Sequence, residues 1–316
     1  MSTRRPAAAG AAAPVADPPS VVITGASRGL GMATAAHLYR REWRVVAAMR
    51  SPDDGLEALR SRTGASRGDD RLIGVRLDLD DVESIDAAAS AILDAVGAPD
   101  GIVHNAGIAG VGCLEEMPTQ TWQTMFSTNL FGPVRLTGAL VPAMRAAGRG
   151  RIIMVSSAGA VRGMPGIGAY SAAKGAVERW AESLSFEIAP FGLGVTVLVA
   201  GTYRTDILEL TPTYADPDGP YAPLHVGLEK NGRRFLRFAQ PPDRFAPAVE
   251  RALRDHRPFT RHPVGLDARL LLIGNRVLPA GALQRVLTRV LGIPRPGGLR
   301  GDPRQHVTVA PYSKET

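Results

Sequence analysis

Val21, Val22 and Ile23 form a short apolar run that leads directly into Thr24-Gly25-Ala26-Ser27-Arg28-Gly29-Leu30-Gly31, and a helical stretch over residues 32–42 follows. Strand, glycine loop and helix in this order constrain the fold more than anything else in the chain. Glycines let the backbone turn tightly and come close to phosphates, whose charge is met by free N–H groups and the positive end of the helix. The spacing is G-x-x-x-G-x-G rather than G-x-G-x-x-G. A second strand over residues 44–49 completes a βαβ unit, and strand and helix signals alternate up to about residue 200. The 316 residues therefore read as one α/β domain with attachments, a doubly wound parallel sheet with helices on both faces.

A second constellation carries chemistry. Tyr170 and Lys174 stand one helical turn apart, thirteen and seventeen residues after Ser157, and Lys174 is one of only three lysines in the chain, with Lys230 and Lys314. A phenol with a pKa of about 10 is a poor acid or base near neutrality, and an adjacent ammonium draws that value down. A lysine also reaches ribose hydroxyls, so it can serve cofactor and chemistry together. Alone, the pair would also fit the solvated face of an ordinary helix. Behind an intact glycine loop and beside a serine, it describes a proton-transfer site. No metal ligation is expected.

With these motifs the chain resembles the short-chain dehydrogenase/reductase family, the single-domain Rossmann-type enzymes, over residues 20–206. The resemblance rests on Thr24–Gly31, Asp78 after the third strand, His104-Asn105-Ala106-Gly107 after the fourth, Asn129 in the long helix that follows, Ser157, Tyr170-Ser-Ala-Ala-Lys174, and residues 201–205. It implies that Tyr170 is the general acid/base and that Ser157 hydrogen-bonds the substrate carbonyl. Lys174 would bind the nicotinamide ribose, and Asn129 would hold a water in a proton relay. The cofactor would lie against Gly25, Ser27, Arg28, Gly29, Leu30 and Gly31, then Arg50 and Ser51. Asp78 would meet the adenine, Asn105 would border the adenosine ribose and Thr205 would hold the carboxamide, with Leu79, Ala106, Gly107, Gly201 and Thr202 also against the cofactor. Three positions depart from the family pattern: Ala200 replaces a proline, His104 an asparagine and Ala173 a serine. Ser156 adjoins Ser157, and the thirteen-residue interval to Tyr170 selects Ser157.

Charge decides between the two nicotinamide cofactors. An acidic residue at the end of the second strand would accept hydrogen bonds from the adenosine ribose and repel a 2′-phosphate. This chain has Arg50-Ser51 there and Arg28 in the glycine loop. Planar guanidinium groups suit a phosphate dianion, so NADP(H) is expected over NAD(H), the alternative being two solvated surface arginines. The expected reaction is NADPH-dependent reduction of a ketone or aldehyde, or the reverse oxidation of an alcohol. By resemblance to members with extended carboxyl ends, the substrate is expected to be lipophilic. A related epimerase or dehydratase, and a nucleotide-sensing protein without turnover, are the other readings.

Outside that region the sequence is less generic. Cys113 is the only cysteine, which rules out a disulfide within the chain and points to a reducing, cytoplasmic setting. Residues 1–19 read as a disordered tail and residues 296–316 as a second tail. Residues 207–240 carry Tyr214, Tyr221, Phe235 and Phe238 and read as a substrate loop, followed by a helix over residues 242–256 and a last strand over residues 259–264. Residues 266–295 read as a helical extension in which Leu283, Val286, Leu287, Val290 and Leu291 make one apolar stripe. Residues 232–316 contain fifteen arginines and one lysine against six acidic groups, a formal +10 in a chain whose total is +7. A basic, leucine-rich helix pair can pack on the body, pair with another subunit in a homo-oligomer, or lie on an anionic membrane surface. Packing is the expectation. Nucleic acid is not an expected partner, because the rest of the chain is acidic and no binding module is present.

Overall fold

The apolar run at residues 21–23 lies at the centre of β1 (Ser20–Thr24), a strand buried throughout, as a parallel strand covered on both faces must be. This computed structural model describes residues 17–300 apart from Asp206, Leu208, Glu209 and Phe238. The expected tails, for residues 1–16 and 301–316, the aromatic Phe238 and the Phe235 side chain fall outside the described residues. After β1 come α1 (Gly29–Arg40), β2 (Arg44–Met49), α2 (Pro52–Thr63), β3 (Leu72–Arg76), α3 (Val82–Val96) and β4 (Gly101–His104). Then follow α4 (Thr119–Phe126), α5 (Gly132–Ala147), β5 (Gly150–Ser157), α6 (Ala158–Val161), α7 (Gly168–Ile188) and β6 (Leu193–Ala200). The last elements are α8 (Ala222–Leu236), α9 (Ala246–Leu253), β7 (Phe259–Val264), α10 (Leu266–Val277) and α11 (Ala280–Leu291).

The sheet order is β3-β2-β1-β4-β5-β6-β7, and every pairing is parallel. Strand order reverses between β1 and β4, so their carboxyl ends diverge and open a crevice, the place where a doubly wound sheet receives its ligand. Two apolar layers cover the sheet. Ile85, Leu136, Leu140 and Met144 pack on one face, and Leu38, Leu59, Phe245 and Val249 on the other.

Several boundaries differ from the sequence reading. Helix α1 begins three residues earlier than expected, because Gly29 to Gly31 already turn helically, and it closes before Glu42, which takes a left-handed φ of 62°. Asn129 does not sit in a continuous α-helix: residues Ser127–Phe131 form a π turn between α4 and α5. The helix expected over residues 242–256 is shorter, a 3₁₀ turn Pro242–Arg244 followed by α9. In the extension one edge of the stripe is turned inward. Leu283 is buried, while Val286 and Val290 stand outward.

Candidate active site

The carboxyl ends of β1, β4, β5 and β6 converge on the crevice, and each delivers a different polar group. At the end of β1, the Thr24 hydroxyl accepts hydrogen bonds from the main-chain N–H groups of Asn105 (3.1 Å) and Ala106 (3.0 Å). Asn105 in return donates its side-chain amide to the carbonyls of Thr24 (2.9 Å) and Gly25 (3.2 Å). A Cβ on Gly31 would sit 2.2 Å from the Gly25 carbonyl oxygen, and one on Gly25, whose φ is +67°, would sit 2.9 Å from the Ala106 Cα. These glycines are therefore sterically required. Asn105 bolts the loop after β4 to the glycine loop; its amide nitrogen faces that loop rather than outward.

The amino end of α1 has no side-chain cap, since Arg28 at that position is extended and makes no capping bond. Its first-turn N–H groups remain available to an anion. The side chains of Ser27, Arg28, Arg50 and Ser51 are exposed, and neither guanidinium has a carboxylate partner among the described residues. Gly29 brings the loop against Thr205: a Cβ there would lie 3.3 Å from the Thr205 methyl. At the end of β3, Asp78 is half-buried and accepts from the Asp80 N–H (3.1 Å), and Leu79 is buried, its carbonyl against Gly132.

Serines 156 and 157 separate cleanly. Ser156 is buried and donates to Glu178 (2.7 Å), which also pairs with Arg261 (2.6 Å), so its hydroxyl belongs to the packing between β5, α7 and β7. Ser157 accepts from the Gly159 N–H (3.1 Å) and faces Tyr170. Burial pushes the Tyr170 phenol above its ordinary value, and the interaction with Ser157 works against that push. The expected lowering by Lys174 is not seen. The Lys174 ammonium lies 6.0 Å from the centre of the Tyr170 ring and donates to the Val155 carbonyl (3.0 Å), and burial brings its own pKa down to about 8. Desolvation, not the neighbouring charge, governs both groups.

Gly107 closes the far side, where a Cβ would lie 3.0 Å from the Asn129 Oδ1 and 3.4 Å from the Lys174 Nζ. Asn129 is buried, and its amide accepts from the Ile108 N–H (2.8 Å) and donates to the Ile108 carbonyl (2.9 Å). Both ends of that side chain are occupied, so it clamps the turn after β4. Beneath the crevice His104 bonds Thr137 (2.7 Å), and burial together with Lys174 holds it neutral, with a pKa of about 3.

Three groups that sequence reasoning did not single out complete the site. Met117, Met125 and Ala169 form an apolar wall with Ile108, Trp122, Tyr214 and Tyr170. Tyr214 is fastened there by a hydrogen bond from Thr121 (2.9 Å) and by its own N–H to the Val111 carbonyl (2.7 Å). Asp267, in the first turn of α10, accepts from the Thr202 N–H (2.6 Å) and hydroxyl (2.8 Å), so the Thr202 side chain is already engaged. A Cβ on Gly201 would sit 1.9 Å from the Asp267 carboxylate, so any larger residue there would displace that side chain. His225 on α8 meets Glu116 (2.7 Å) beside Cys113, whose thiol burial pushes up to about 12. The sulfur, imidazole and carboxylate atoms lie within 4.8 Å of one another. Of these residues Tyr170, Tyr214 and Cys113 carried a sequence signal; Asp267 and His225 are brought to Thr202 and Glu116 across 65 and 109 residues.

A phenol, a hydroxyl and an ammonium thus line one side of a crevice whose other side is an uncapped helix end and a glycine loop. This arrangement can hold a dinucleotide and deliver a proton beside it. The model of the family described as short chain dehydrogenase matches residues 19–214. The uncharacterized oxidoreductase YbbO of Escherichia coli strain K12 is 33% identical over 269 residues, covering 85% of this chain and 93% of the relative. Human retinol dehydrogenase 5 is 32% identical over 293 residues, covering 87% and 89%. A short-chain dehydrogenase structure from Streptomyces avermitilis superposes with a TM-score of 0.72 at 31% identity, covering 87% of this chain and 96% of that one. By sequence, fold and site, the chain is an oxidoreductase of the short-chain dehydrogenase/reductase family.

Proposed function

We propose that this oxidoreductase uses NADP(H) to interconvert a lipophilic ketone or aldehyde and its alcohol, with Tyr170 as the proton-transferring residue. One observation carries the reading: the Tyr170 phenol, protonated and facing Ser157, stands beside the buried Lys174 at the mouth of a glycine cradle. The residues fit a dinucleotide, since Gly25 and Gly31 let the glycine loop turn tightly against the β4 loop where any Cβ would clash, and the α1 amino end it presents is uncapped. Arg28 and Arg50, without carboxylate partners among the described residues, would hold the 2′-phosphate, and Lys174 and Thr205 would border the nicotinamide half. When bound, the nicotinamide supplies or takes up the hydride.

The chain's own residues do the rest. In reduction the Tyr170 O–H gives its proton to the carbonyl oxygen, and the Ser157 hydroxyl hydrogen-bonds the same oxygen and fixes its position. A phenol raised by burial stays protonated at neutral pH and is a weaker acid than a free one, so its proton transfer depends on the site stabilising the phenolate it leaves. Lys174, charged below about pH 8, offers its ammonium to the ribose and to the phenolate that remains. Asn129 positions the turn that carries Gly107 against both. Met117, Trp122 and Tyr214 give the acceptor side an apolar wall, which supports a lipophilic substrate, as does the likeness to a protein named retinol dehydrogenase.

The test is a panel of ketones, aldehydes and alcohols assayed with both cofactors, on the wild type and on Arg50→Asp. The wild type should turn over apolar carbonyls with NADPH preferred over NADH. Loss of one charge-assisted contact is worth about 1.5–3 kcal/mol, so Arg50→Asp should shift that preference by about ten- to a hundredfold. A wild type that prefers NADH defeats the cofactor assignment, and a chain that binds NADPH yet turns over no carbonyl or alcohol defeats the reaction.

A further inference from the structure

Helix α10 is amphipathic in the wrong sense for a helix packed by its largest side chains. Its buried contact with the body is made by a small residue, Ala268, fully buried, with Leu272 packed beside it on the core. Leu266, Leu270, Ile273 and Val277 fall at positions i, i+4, i+7 and i+11, a single helical stripe, and point away from the body at 72%, 60%, 51% and 70% exposure. Helix α11 adds Val286 and Val290, half exposed, while its Leu283 is buried. A row of aliphatic side chains at full turns of one helix is an exposed patch of the kind that marks a contact surface.

Charge selects what covers it. Arg269 and Arg276 flank the α10 stripe on one side, and Arg285 and Arg289 are exposed on α11. None of these four pairs with a carboxylate among the described residues. The only acidic residue in either helix is Asp267, and its carboxylate is engaged by Thr202. A second copy docked symmetrically on this face would set arginines against arginines with no carboxylate to offset them. A surface that offers negative charge around an apolar interior satisfies both features at once. We infer that the outer face of α10 and α11 docks on an anionic lipid bilayer, with Leu266, Leu270, Ile273 and Val277 entering the acyl boundary and the arginines meeting the headgroup phosphates.

The contact would bear directly on the site. Leu266 precedes Asp267, the residue that holds the Thr202 end of the crevice, and α11 packs on α8 through Gly227 and Gly292. Docking would thus place the substrate loop and the crevice mouth at the lipid surface. The inference rests on the surface pattern alone and stands whether or not the proposed reaction is correct.

The experiment is co-sedimentation of the purified full-length protein with vesicles of phosphatidylcholine and phosphatidylglycerol in equal parts, and with phosphatidylcholine alone. Wild type should sediment with the anionic vesicles, at least tenfold less with the neutral ones, and progressively less as salt is raised from about 0.1 to 0.5 M. Leu270→Ser/Ile273→Ser/Val277→Ser, three exposed positions, should unfold at the wild-type temperature and lose binding at least tenfold. Arg269→Glu/Arg276→Glu keeps the stripe and should lose binding to anionic vesicles alone. Wild type that stays in the supernatant overturns the inference, as does binding that survives the serine variant. A wild-type oligomer that the serine variant dissociates would show that a second copy covers the face and would overturn it equally.

Discussion

Lys174 and Asn105 are locked by main-chain atoms of neighbouring strand ends, whereas Tyr214, His225 and Asp267 come from segments beyond β6 and reach the site chiefly through side-chain contacts, with a few main-chain bonds such as Tyr214 N–H to Val111. The first region is over-determined. Its groups sit within a few residues of β1, β4 and β5, and removing one side chain leaves the parallel ladder that positions the others. The second region reaches the site through long connections and a handful of contacts. The lesson is about what each can tolerate: the strand-end half can hold exact chemistry, and the carboxyl-terminal half can vary its substrate and its surroundings.

The sharpest way to test the first half is Tyr170→Phe. Removing the hydroxyl leaves the ring, its packing against Met117 and Trp122, and the fold. Positioned proton transfer is worth about 10² to 10⁴, so turnover should fall at least a hundredfold while cofactor affinity measured by fluorescence titration changes little. Turnover within threefold of wild type would remove Tyr170 from the chemistry.

Asp267→Ala probes the second half and should have a smaller effect of a different kind. The carboxylate holds both the N–H and the hydroxyl of Thr202, and a hydrogen bond to a charged group is worth about 1.5–3 kcal/mol. Losing both frees residues 201–205 and should raise the KM for the nicotinamide cofactor about tenfold or more, with a lesser effect on kcat at saturation. Asp267→Asn, whose amide oxygen can still accept, should restore most of the affinity. Equal losses in KM and kcat, or no recovery with asparagine, would show that Asp267 supports the fold at large rather than this turn.

The same division explains what was legible in the sequence. The glycine loop, Ser157, Tyr170 and Lys174 could be read because each local pattern already implies its strand end or helix turn, and the sheet brings those ends together. Ser157 was separable from Ser156 by spacing, and the partition of their partners, Tyr170 against Glu178, agrees. Asp267 could not be read that way. Its role depends on α10 returning across the sheet edge to residues 201 and 202, a contact no local periodicity encodes. The extension misled for a related reason. Apolar periodicity says that a helix has a face, not which way it is turned, and α10 packs through Ala268 while its larger stripe faces out. The shift of Tyr170 was misjudged because the neighbour in sequence, Lys174, was weighed and the desolvation of both groups was not.

The smallest effect expected is a gain in stability, and it tests whether the strand-end half is strained by its own function. Lys174 is buried, with a folded pKa of about 8 against 10.5 for an unperturbed lysine. Between those values the unfolded chain binds the proton more tightly than the folded one, so stability rises as pH climbs through that window. Below about pH 8 the full cost is present, on the order of 3 kcal/mol for a displacement of that size. Lys174→Met fills the same space without a charge but leaves the Val155 carbonyl without its donor, which returns about 1 kcal/mol. The variant should therefore unfold a few degrees higher than wild type at pH 7, and the difference should shrink toward zero or reverse near pH 10, as thermal unfolding at the two pH values would show. A Lys174→Met protein less stable than wild type at pH 7 would mean that the buried ammonium is well compensated where it sits. The contrast between a strained catalytic half and a loosely pinned carboxyl-terminal half would then lose its energetic basis and keep only its geometric one.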